Sequence, residues 1–349
     1  MNKEDFTDDK IFLATGFLDM EFIIRHTGSF VLIVGARGTG KTYGANKWLL
    51  DSRKKFIYLR RTGTELSVAV NEHRNPFQMF DPLINAVTIE PNFLSFQKGN
   101  EEEQETIKYI GYACALSTFH NLRSVDFSDI EIIVYDECIP EKHVKALKNE
   151  YEVLLNMYET VNRNRELSGR PPVKLVMLSN SNNMNAPIIQ GLKISDELYI
   201  GDGIFIDNDR DLFVLSKSNP KFAEKKRKTA LYRLTSEKSN FQKMAIDNTF
   251  TGVTDKNVRM RINYKEYYPL CRIETDGNTL HFLSHKTNGK YLFTTKDIGG
   301  DLPLYNLDVP QEKLSFLNTH NYIVRLLFAE LIEYDSLQTK ITVDNILKK

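Results

Sequence analysis

FVLIVGARGTGKT (30–42) decides the fold class of this chain. Its apolar half has the composition of a buried parallel β-strand, and residues 41–55 after it carry apolar side chains at helical spacing. Between them, residues 35–42 match the pattern GxxxxGK(S/T), in which backbone amides of a glycine-rich loop wrap phosphate groups. The residues predicted to bind a nucleotide here are Gly35, Ala36, Arg37, Gly38, Thr39, Gly40, Lys41 and Thr42.

The second half of the predicted site is IEIIVYDE (130–137). Its apolar run places Asp136 at the carboxyl end of a buried strand, beside the loop of an α/β sheet. We expect Lys41 to reach the β- and γ-phosphates of ATP, and Thr42 and Asp136 to hold Mg²⁺. Glu137 is then placed to polarise the attacking water, which favours a hydrolase over a kinase or a switch GTPase.

Two other strand ends carry polar residues. Ser179 and Asn180 end VKLVMLSN (173–180), where P-loop ATPases with a strand inserted between the two nucleotide-site strands can sense the γ-phosphate. An ordinary strand-ending turn is the alternative, but the position after a predicted core strand favours the functional role, so Asn180 is also predicted to bind the nucleotide. Arg60 and Arg61 end KFIYLRR (55–61), and there a contact to phosphate or DNA and a structural ion pair are equally compatible with the sequence.

Arg163 and Arg165 lie near the end of the helical pattern of residues 149–167. An arginine at a helix C-terminus is often only a favourable partner of the helix dipole. The alternative is an arginine finger that enters the site of a neighbouring subunit, which accelerates phosphoryl transfer by several orders of magnitude.

The order of the elements predicts an α/β P-loop NTPase of the ASCE type, with a mostly parallel central sheet. After about residue 195 the pattern changes to a hairpin with its turn at Asn208–Asp209, then a lysine-rich stretch. Antiparallel strands with turns at Asp276–Gly277 and Asn288–Gly289 follow, and residues 311–336 are mostly helical in pattern. We therefore expect an ATPase domain (1–195), a basic linker region with hairpin and helix (196–250) and a smaller α+β domain (251–349).

Composition narrows the class of protein. The chain has 46 basic and 46 acidic residues, but residues 217–265 contain 13 basic and 4 acidic ones, which indicates either a polyanion contact or a solvated helix face. Three separated cysteines show no metal spacing and favour a reducing cytoplasm. No apolar run approaches the roughly 20 residues of a membrane helix, and the acidic N-terminus is unlike a leader peptide.

Several segments together resemble the φ29-like phage DNA-encapsidation ATPases. They occur in that family's order and at about its spacing, and residues 225–229 and 246–252 resemble its later region. The segments are VGARGTGKTYG (34–44), IYLRRTGTEL (57–66), IVYDECIPEK (133–142), YETVNRNRE (158–166) and LSNSNN (178–183).

The resemblance implies an enzyme that uses ATP and Mg²⁺ to drive double-stranded viral DNA into a preformed capsid. It implies a homomeric ring of five subunits in the host cell cytoplasm, docked on the portal of the procapsid through a structural RNA. Arg163 would be the finger acting in trans, and Arg123 would contact the next subunit. The C-terminal domain would be a degenerate RNase H-like fold that grips nucleic acid without cutting it.

Nuclease activity is not expected. A two-metal nuclease needs several carboxylates that converge on shared ions, whereas Asp276 and Asp301 lie beside glycines in predicted turns, and the spacing of Glu274, Asp297 and Asp335 does not indicate a site. Two rival functions are a helicase or conjugation-type pump, which single-stranded DNA would stimulate, and a nucleotide-gated scaffold that hydrolyses ATP too slowly to move DNA.

Overall fold

The computed structural model describes residues 1–99, 108–141, 143–201, 203–250, 255–259, 261–275 and 277–348. The chain divides into two compact units, the first with Met1–Gly191 and Ile200–Thr251, the second with Leu192–Tyr199 and Gly252–Lys349. Within the described ranges no helix is both long and apolar enough to cross a membrane. Asp276, one of the carboxylates considered above, lies outside the described residues.

A nine-stranded sheet forms the centre of the first unit. Its strands are β1 (Phe30–Val34), β2 (Phe56–Arg60), β3 (Ile84–Glu90), β4 (Phe93–Lys98), β5 (Lys108–Ala115), β6 (Ile132–Asp136), β7 (Lys174–Ser179), β8 (Ile204–Asp207) and β9 (Leu212–Leu215). Their order is β3-β4-β5-β2-β6-β7-β1-β9-β8. The strands from β5 to β9 in this order run parallel, while β3, β4 and β8 are antiparallel to their neighbours.

The four strands predicted from apolar runs are present as β1, β2, β6 and β7. Every residue of β2 and β6 is buried, as expected for parallel strands covered on both faces. β7 lies between β1 and β6, so the sheet has the inserted strand of the predicted ASCE type. Because parallel strands end at one edge of a sheet, this order brings the ends of β1, β6 and β7 together.

Helices surround this sheet. Those that begin in the first unit are α1 (Asp8–Ile11), α2 (Met20–His26), α3 (Lys41–Ser52), α4 (Gly63–Ala69), α5 (Glu150–Asn162), α6 (Pro187–Leu192), α8 (Pro220–Arg227), α9 (Ala230–Leu234) and α10 (Asn240–Ala245). Short 3₁₀ helices lie at Lys3–Asp5, Leu116–Leu122 and Glu166–Ser168. The two helices predicted from periodicity, at 41–55 and 149–167, are thus present as α3 and α5.

The expected linker, 196–250, is not a separate region in the structure. The predicted hairpin is present as β8 and β9, but β9 pairs in parallel with β1 and so continues the large sheet. All four residues of β9 are buried, so pairing along the open edge of β1 removes apolar surface from water. Residues 200–251 therefore belong to the first unit, and 192–199 to the second.

The second unit has a five-stranded sheet. Its strands are β10 (Tyr267–Thr275), β11 (Asn278–His285), β12 (Tyr291–Thr294), β13 (Leu304–Asn306) and β14 (Ile332–Tyr334), in the order β13-β10-β11-β12-β14. β10, β11 and β12 form the expected antiparallel meander, and β13 is parallel to β10. β14 lies on the opposite edge of this sheet, parallel to β12.

Helices of the second unit pack beside this sheet. They are α7 (Ser195–Ile200), α11 (Pro310–Thr319), α12 (Ile323–Phe328) and α13 (Leu337–Lys348), with a 3₁₀ turn at Tyr264–Glu266. The helical pattern over 311–336 is present as α11 and α12, but its last part forms β14 instead, whose three residues are buried. The amides of Leu337 and Gln338 donate to the Asp196 carboxylate at 2.8 and 3.1 Å, which joins α7 to this unit.

Candidate nucleotide-binding site

The loop between β1 and α3 has the backbone geometry of an anion cradle. Gly38 and Gly40 have φ of 74° and 85°, in the left-handed region that residues with a side chain rarely adopt. α3 begins at Lys41 without a hydrogen bond from a capping side chain, so its first amides remain for an anion. From outside, the amide of Arg37 donates to the Ala245 carbonyl at 3.1 Å, which ties the loop to the end of α10.

Lys41 lies inside this loop and is only 8% exposed. Its Nζ donates to the carbonyls of Gly35 and Ala36, both at 2.9 Å, and to Asn180 Oδ1 at 3.1 Å. Burial lowers the pKa of Lys41 to about 8, and the nearby Asp136 carboxylate opposes that shift. The ammonium group and the side chain at the end of β7 are therefore direct neighbours.

Asp136 links the loop to the end of β6. The Thr42 hydroxyl donates to Asp136 Oδ1 at 2.9 Å, which joins two residues that are 94 positions apart. The other oxygen, Oδ2, accepts from the Tyr58 hydroxyl at 2.8 Å and from Arg60 Nη1 at 3.0 Å. A hydroxyl and a carboxylate in contact are the hard oxygen donors that Mg²⁺ prefers.

Glu137 is positioned by a backbone turn and by Arg60. Its φ is 57°, a left-handed conformation that is uncommon for a residue with a side chain. Arg60 Nη2 donates to Glu137 Oε2 at 2.6 Å. Burial disfavours the charge on Arg60, but Tyr58, Asp136 and Glu137 outweigh it, so the pKa of Arg60 is raised. Arg60 thus forms ion pairs with both carboxylates. Of the two alternatives considered for Arg60, this agrees with the structural ion pair rather than with a contact to phosphate or DNA.

A cleft of about 1270 Å³ surrounds these groups. Of the predicted nucleotide residues, those that line it are Arg37, Gly38, Thr39, Gly40, Lys41, Thr42, Asp136, Glu137 and Asn180. Gly35 and Ala36 contribute the carbonyls that hold Lys41. One wall of the cleft is apolar and is made by Leu13, Phe17, Tyr43 and Trp48. This wall was not predicted, because Leu13 and Phe17 precede the motif in a stretch without a recognisable pattern.

The family model of the Podovirus DNA encapsidation protein (Gp16) matches residues 17–301 of this chain. The chain belongs to this family. The DNA packaging proteins of Bacillus phage PZA and of Bacillus phage phi29 are each 27% identical to it over 253 residues, which cover 71% of this chain and 69% of the relative. The predicted family is therefore confirmed, as is the prediction of an ATPase that packages viral DNA.

Two solved structures resemble this encapsidation protein in fold. The bacteriophage Phi-29 viral genome packaging motor assembly contains a chain with a TM-score of 0.64 and 19% identity, covering 95% of this chain and 99% of that one. The Phi-28 gp11 DNA packaging motor gives a TM-score of 0.62 and 19% identity, covering 96% and 98%. At this identity the likeness concerns the fold alone.

Arg163 lies at the far end of α5, outside the residues that line the cleft of the encapsidation protein. It caps the helix in a left-handed conformation, with φ of 41°. Its side chain is exposed, and Nη2 donates to the carbonyls of Arg123 and Val125 at 3.2 and 2.9 Å. Arg163 and Arg123, the two residues expected at a subunit contact, therefore share one exposed surface.

The two remaining arginine candidates are structural. Arg165 is only 6% exposed, and its Nη1 donates to the carbonyl of Ile130. Arg61 is 2% exposed, with Nη2 at 2.8 Å from Glu65 Oε1 and Nη1 at 2.9 Å from the Lys145 carbonyl. Arg61 lines the cleft, but both guanidinium groups are held by protein groups, so the ion-pair interpretation of Arg61 and the non-finger interpretation of Arg165 fit the structure.

Part of the basic stretch packs against the nucleotide loop. Lys226 on α8 donates to the carbonyls of Arg37 and Ala245. Burial lowers the pKa of Lys226 to about 8, with a further contribution from Arg37. The Arg37 side chain itself pairs with Glu141. For these residues the basic stretch has a structural role that the sequence did not indicate. Lys217 is 30% exposed and pairs with Asp8 at 2.6 Å, while the other lysines of the stretch are exposed.

The C-terminal carboxylates are separated or already paired. Asp335 accepts from the hydroxyls of Thr294 and Thr339 and from the amide of Thr295. Asp297 is exposed, and its Oδ1 lies 3.7 Å from His281 Nε2. Over the described part of the chain, no group of three or more His, Cys, Asp or Glu residues could hold a metal ion.

Proposed function

We propose that this encapsidation protein binds Mg-ATP between the loop at residues 35–42 and the end of β6. The contact that supports this most directly is the 2.9 Å hydrogen bond from Thr42 to Asp136, with the buried ammonium of Lys41 beside it. Thr42 and Asp136 are the residues that would hold Mg²⁺, which would neutralise phosphate charge as it develops. Asn180 and Lys41 are then placed to contact the terminal phosphate.

Glu137 acts in this proposal as the residue that orients the attacking water. It can do so only after leaving Arg60, because one carboxylate oxygen is held at 2.6 Å by that guanidinium. The Glu137 side chain is 61% exposed, and an ion pair with such an exposed partner stabilises a protein by about 1 kcal/mol or less. Nucleotide binding can therefore release Glu137 at a small energetic cost.

We further propose that the active assembly is a homomeric, pentameric ring in which Arg163 reaches the site of the neighbouring subunit. Arg163 supports this because it is exposed, does not line the cleft of its own subunit and lies on the surface that also carries Arg123. An arginine supplied across an interface makes hydrolysis depend on assembly.

The substrate of this motor is double-stranded DNA, and its docking partner is the portal of the procapsid together with a structural RNA in the host cytoplasm. A motor that moves any sequence must contact phosphates rather than bases, so its DNA affinity should depend strongly on salt. The exposed lysines of residues 217–243 are one candidate contact surface. We assign the ATPase to the first unit, and we expect the second unit to grip nucleic acid without cutting it.

The test is a mixing experiment between inactive variants. Arg163→Ala subunits keep their own nucleotide site, and Glu137→Gln subunits keep their finger, so a mixture should regain DNA-stimulated ATP turnover that neither variant has alone. Absence of recovery at every ratio would refute the shared site. Stimulation by single-stranded DNA but not by duplex DNA would instead support a helicase.

A further inference from the structure

Glu150 is a carboxylate without solvent contact at the first position of α5, with an exposure of 0%. Its Oε1 accepts from the Tyr135 hydroxyl at 3.0 Å, and its Oε2 accepts from the Leu147 amide at 3.0 Å. Arg61 Nη1 lies 3.8 Å from Oε2. Burial raises the pKa of Glu150, and these neighbours oppose the shift.

The partners of Glu150 come from the strands that form the nucleotide site. Tyr135 directly precedes Asp136 on β6, and Arg61 directly follows Arg60 at the end of β2. A buried ion pair contributes little net stability, because the desolvation of both charges offsets their attraction. A buried ion pair can instead serve to specify a single packing arrangement of the chain. Here that arrangement is the position of α5 relative to β6.

The other end of α5 carries Arg163. The helix has 13 residues, so it is about 20 Å long, and a rotation of about 5° at Glu150 would move its far end by about 2 Å. A misplacement of about 1 Å can lower a rate about 100-fold where the geometry of a reacting group is critical. Leu154, Met157 and Val161 are buried along the helix, and the Val173 amide donates to Asn162 Oδ1 at 2.9 Å at its far end. These contacts oppose such a rotation from that end, and Glu150 opposes it at the start of the helix.

We infer that Glu150, together with Arg61 and Tyr135, is a positioning residue that sets the placement of Arg163 toward the neighbouring subunit's site. This inference rests on the proposed action of Arg163 in trans. A shared site consists of the nucleotide-binding residues of one subunit and Arg163 of its neighbour. Substitution of Glu150 should impair the contribution of Arg163 and leave the nucleotide-binding residues of the same subunit intact.

The test uses Glu150→Gln, which keeps the shape of the side chain but removes its charge. Glu152→Gln, an exposed position in the first turn of the same helix, is the matched control. Glu150→Gln should lower DNA-stimulated turnover at least about tenfold, while Glu152→Gln should stay within about twofold. Affinity for Mg-ATP, followed by the fluorescence of Trp48 in the cleft, should change less than about threefold for both.

Mixtures then identify the half-site that fails. Glu137→Gln subunits supply an intact finger, so adding them should restore turnover to Glu150→Gln subunits. Arg163→Ala subunits should not be restored by Glu150→Gln subunits, because neither variant presents a correctly placed arginine. The inference is overturned if Glu150→Gln restores Arg163→Ala subunits as well as Glu137→Gln does.

Two further results separate the possible failures. If Arg163→Ala and Glu137→Gln do not complement each other, the proposed trans site is wrong, and the inference about Glu150 falls with it. If Glu150→Gln does not fold, Tyr135→Phe removes one hydrogen bond to the carboxylate and should give the same mixing pattern with a smaller loss. Loss of Mg-ATP binding in Tyr135→Phe would show that the contact serves the subunit's own site and would overturn the inference.

Discussion

Replacing Arg60 with leucine should lower the free energy of unfolding of the first unit. Most of this loss should come from the broken contact with Asp136 and little from the broken contact with Glu137. The side chains of Arg60 and Asp136 are 10% and 7% exposed, whereas that of Glu137 is 61% exposed. Removing one partner of a buried ion pair costs about 3–5 kcal/mol, because the remaining charge stays desolvated. Losing an exposed pair costs about 1 kcal/mol or less.

The expected loss for Arg60→Leu lies at the lower end of that range, at about 3 kcal/mol. Thr42 and Tyr58 still donate to Asp136, at 2.9 and 2.8 Å, so the carboxylate keeps two of its hydrogen bonds. Glu137→Gln removes only the exposed contact and should cost less than about 1 kcal/mol. With a denaturant slope of about 3 kcal/mol per molar, Arg60→Leu should lower the urea midpoint by about 1 M.

Trp48 provides the assay, because it is the only tryptophan of the chain, is 6% exposed and lies in the first unit. Its emission during urea unfolding therefore follows this unit. The double variant Arg60→Leu/Asp136→Asn removes both charges and should recover at least half of the loss. The reasoning is refuted if Arg60→Leu costs less than about 1 kcal/mol, or if Glu137→Gln costs as much as Arg60→Leu.

Three more predictions follow from the site. Because the pKa of Lys41 is lowered to about 8, the positive charge of this side chain is present below that pH and is lost above it. The affinity for Mg-ATP should therefore fall about tenfold per pH unit above pH 8, and an affinity that stays constant up to about pH 9.5 would contradict this. Gly44→Ala should lower thermal stability by about 1–3 kcal/mol, because the new Cβ would lie 2.6 Å from Met20 Cγ, and a higher melting temperature would contradict this. Stimulation of turnover by subsaturating duplex DNA should fall at least about tenfold between 50 and 200 mM salt, whereas salt-independent stimulation would exclude phosphate contacts.

The strands whose ends carry the nucleotide-site residues could be predicted, because their local sequence pattern matches the structure that they adopt in the fold. β1, β6 and β7 are short apolar runs that end in polar residues, and a parallel sheet must bring such ends to one edge. The three strands on one side of the sheet, β3, β4 and β5, were not predicted. Five of the seven residues of β3 are exposed, so its sequence lacks the apolar run that identified the central strands.

The prediction of a separate linker at residues 196–250 was wrong because it missed a strand pairing between distant parts of the chain. The hairpin at 204–215 was recognised, but no local feature of its sequence indicates that β9 pairs with β1, about 180 residues earlier. The local sequence also does not distinguish the role of Arg163 from that of Arg165, because the two residues lie only two positions apart at the end of the same helical pattern. Only packing separates them, since one guanidinium lies at the surface and the other is buried against the Ile130 carbonyl.

The most direct test of the central claim is the amount of duplex DNA protected from nuclease inside procapsids after incubation with Mg-ATP and the encapsidation protein. The wild-type chain should protect full-length DNA. Glu137→Gln should protect none, although that variant still binds Mg-ATP. Equal protection with Glu137→Gln would contradict the claim that hydrolysis at this site drives DNA into the capsid.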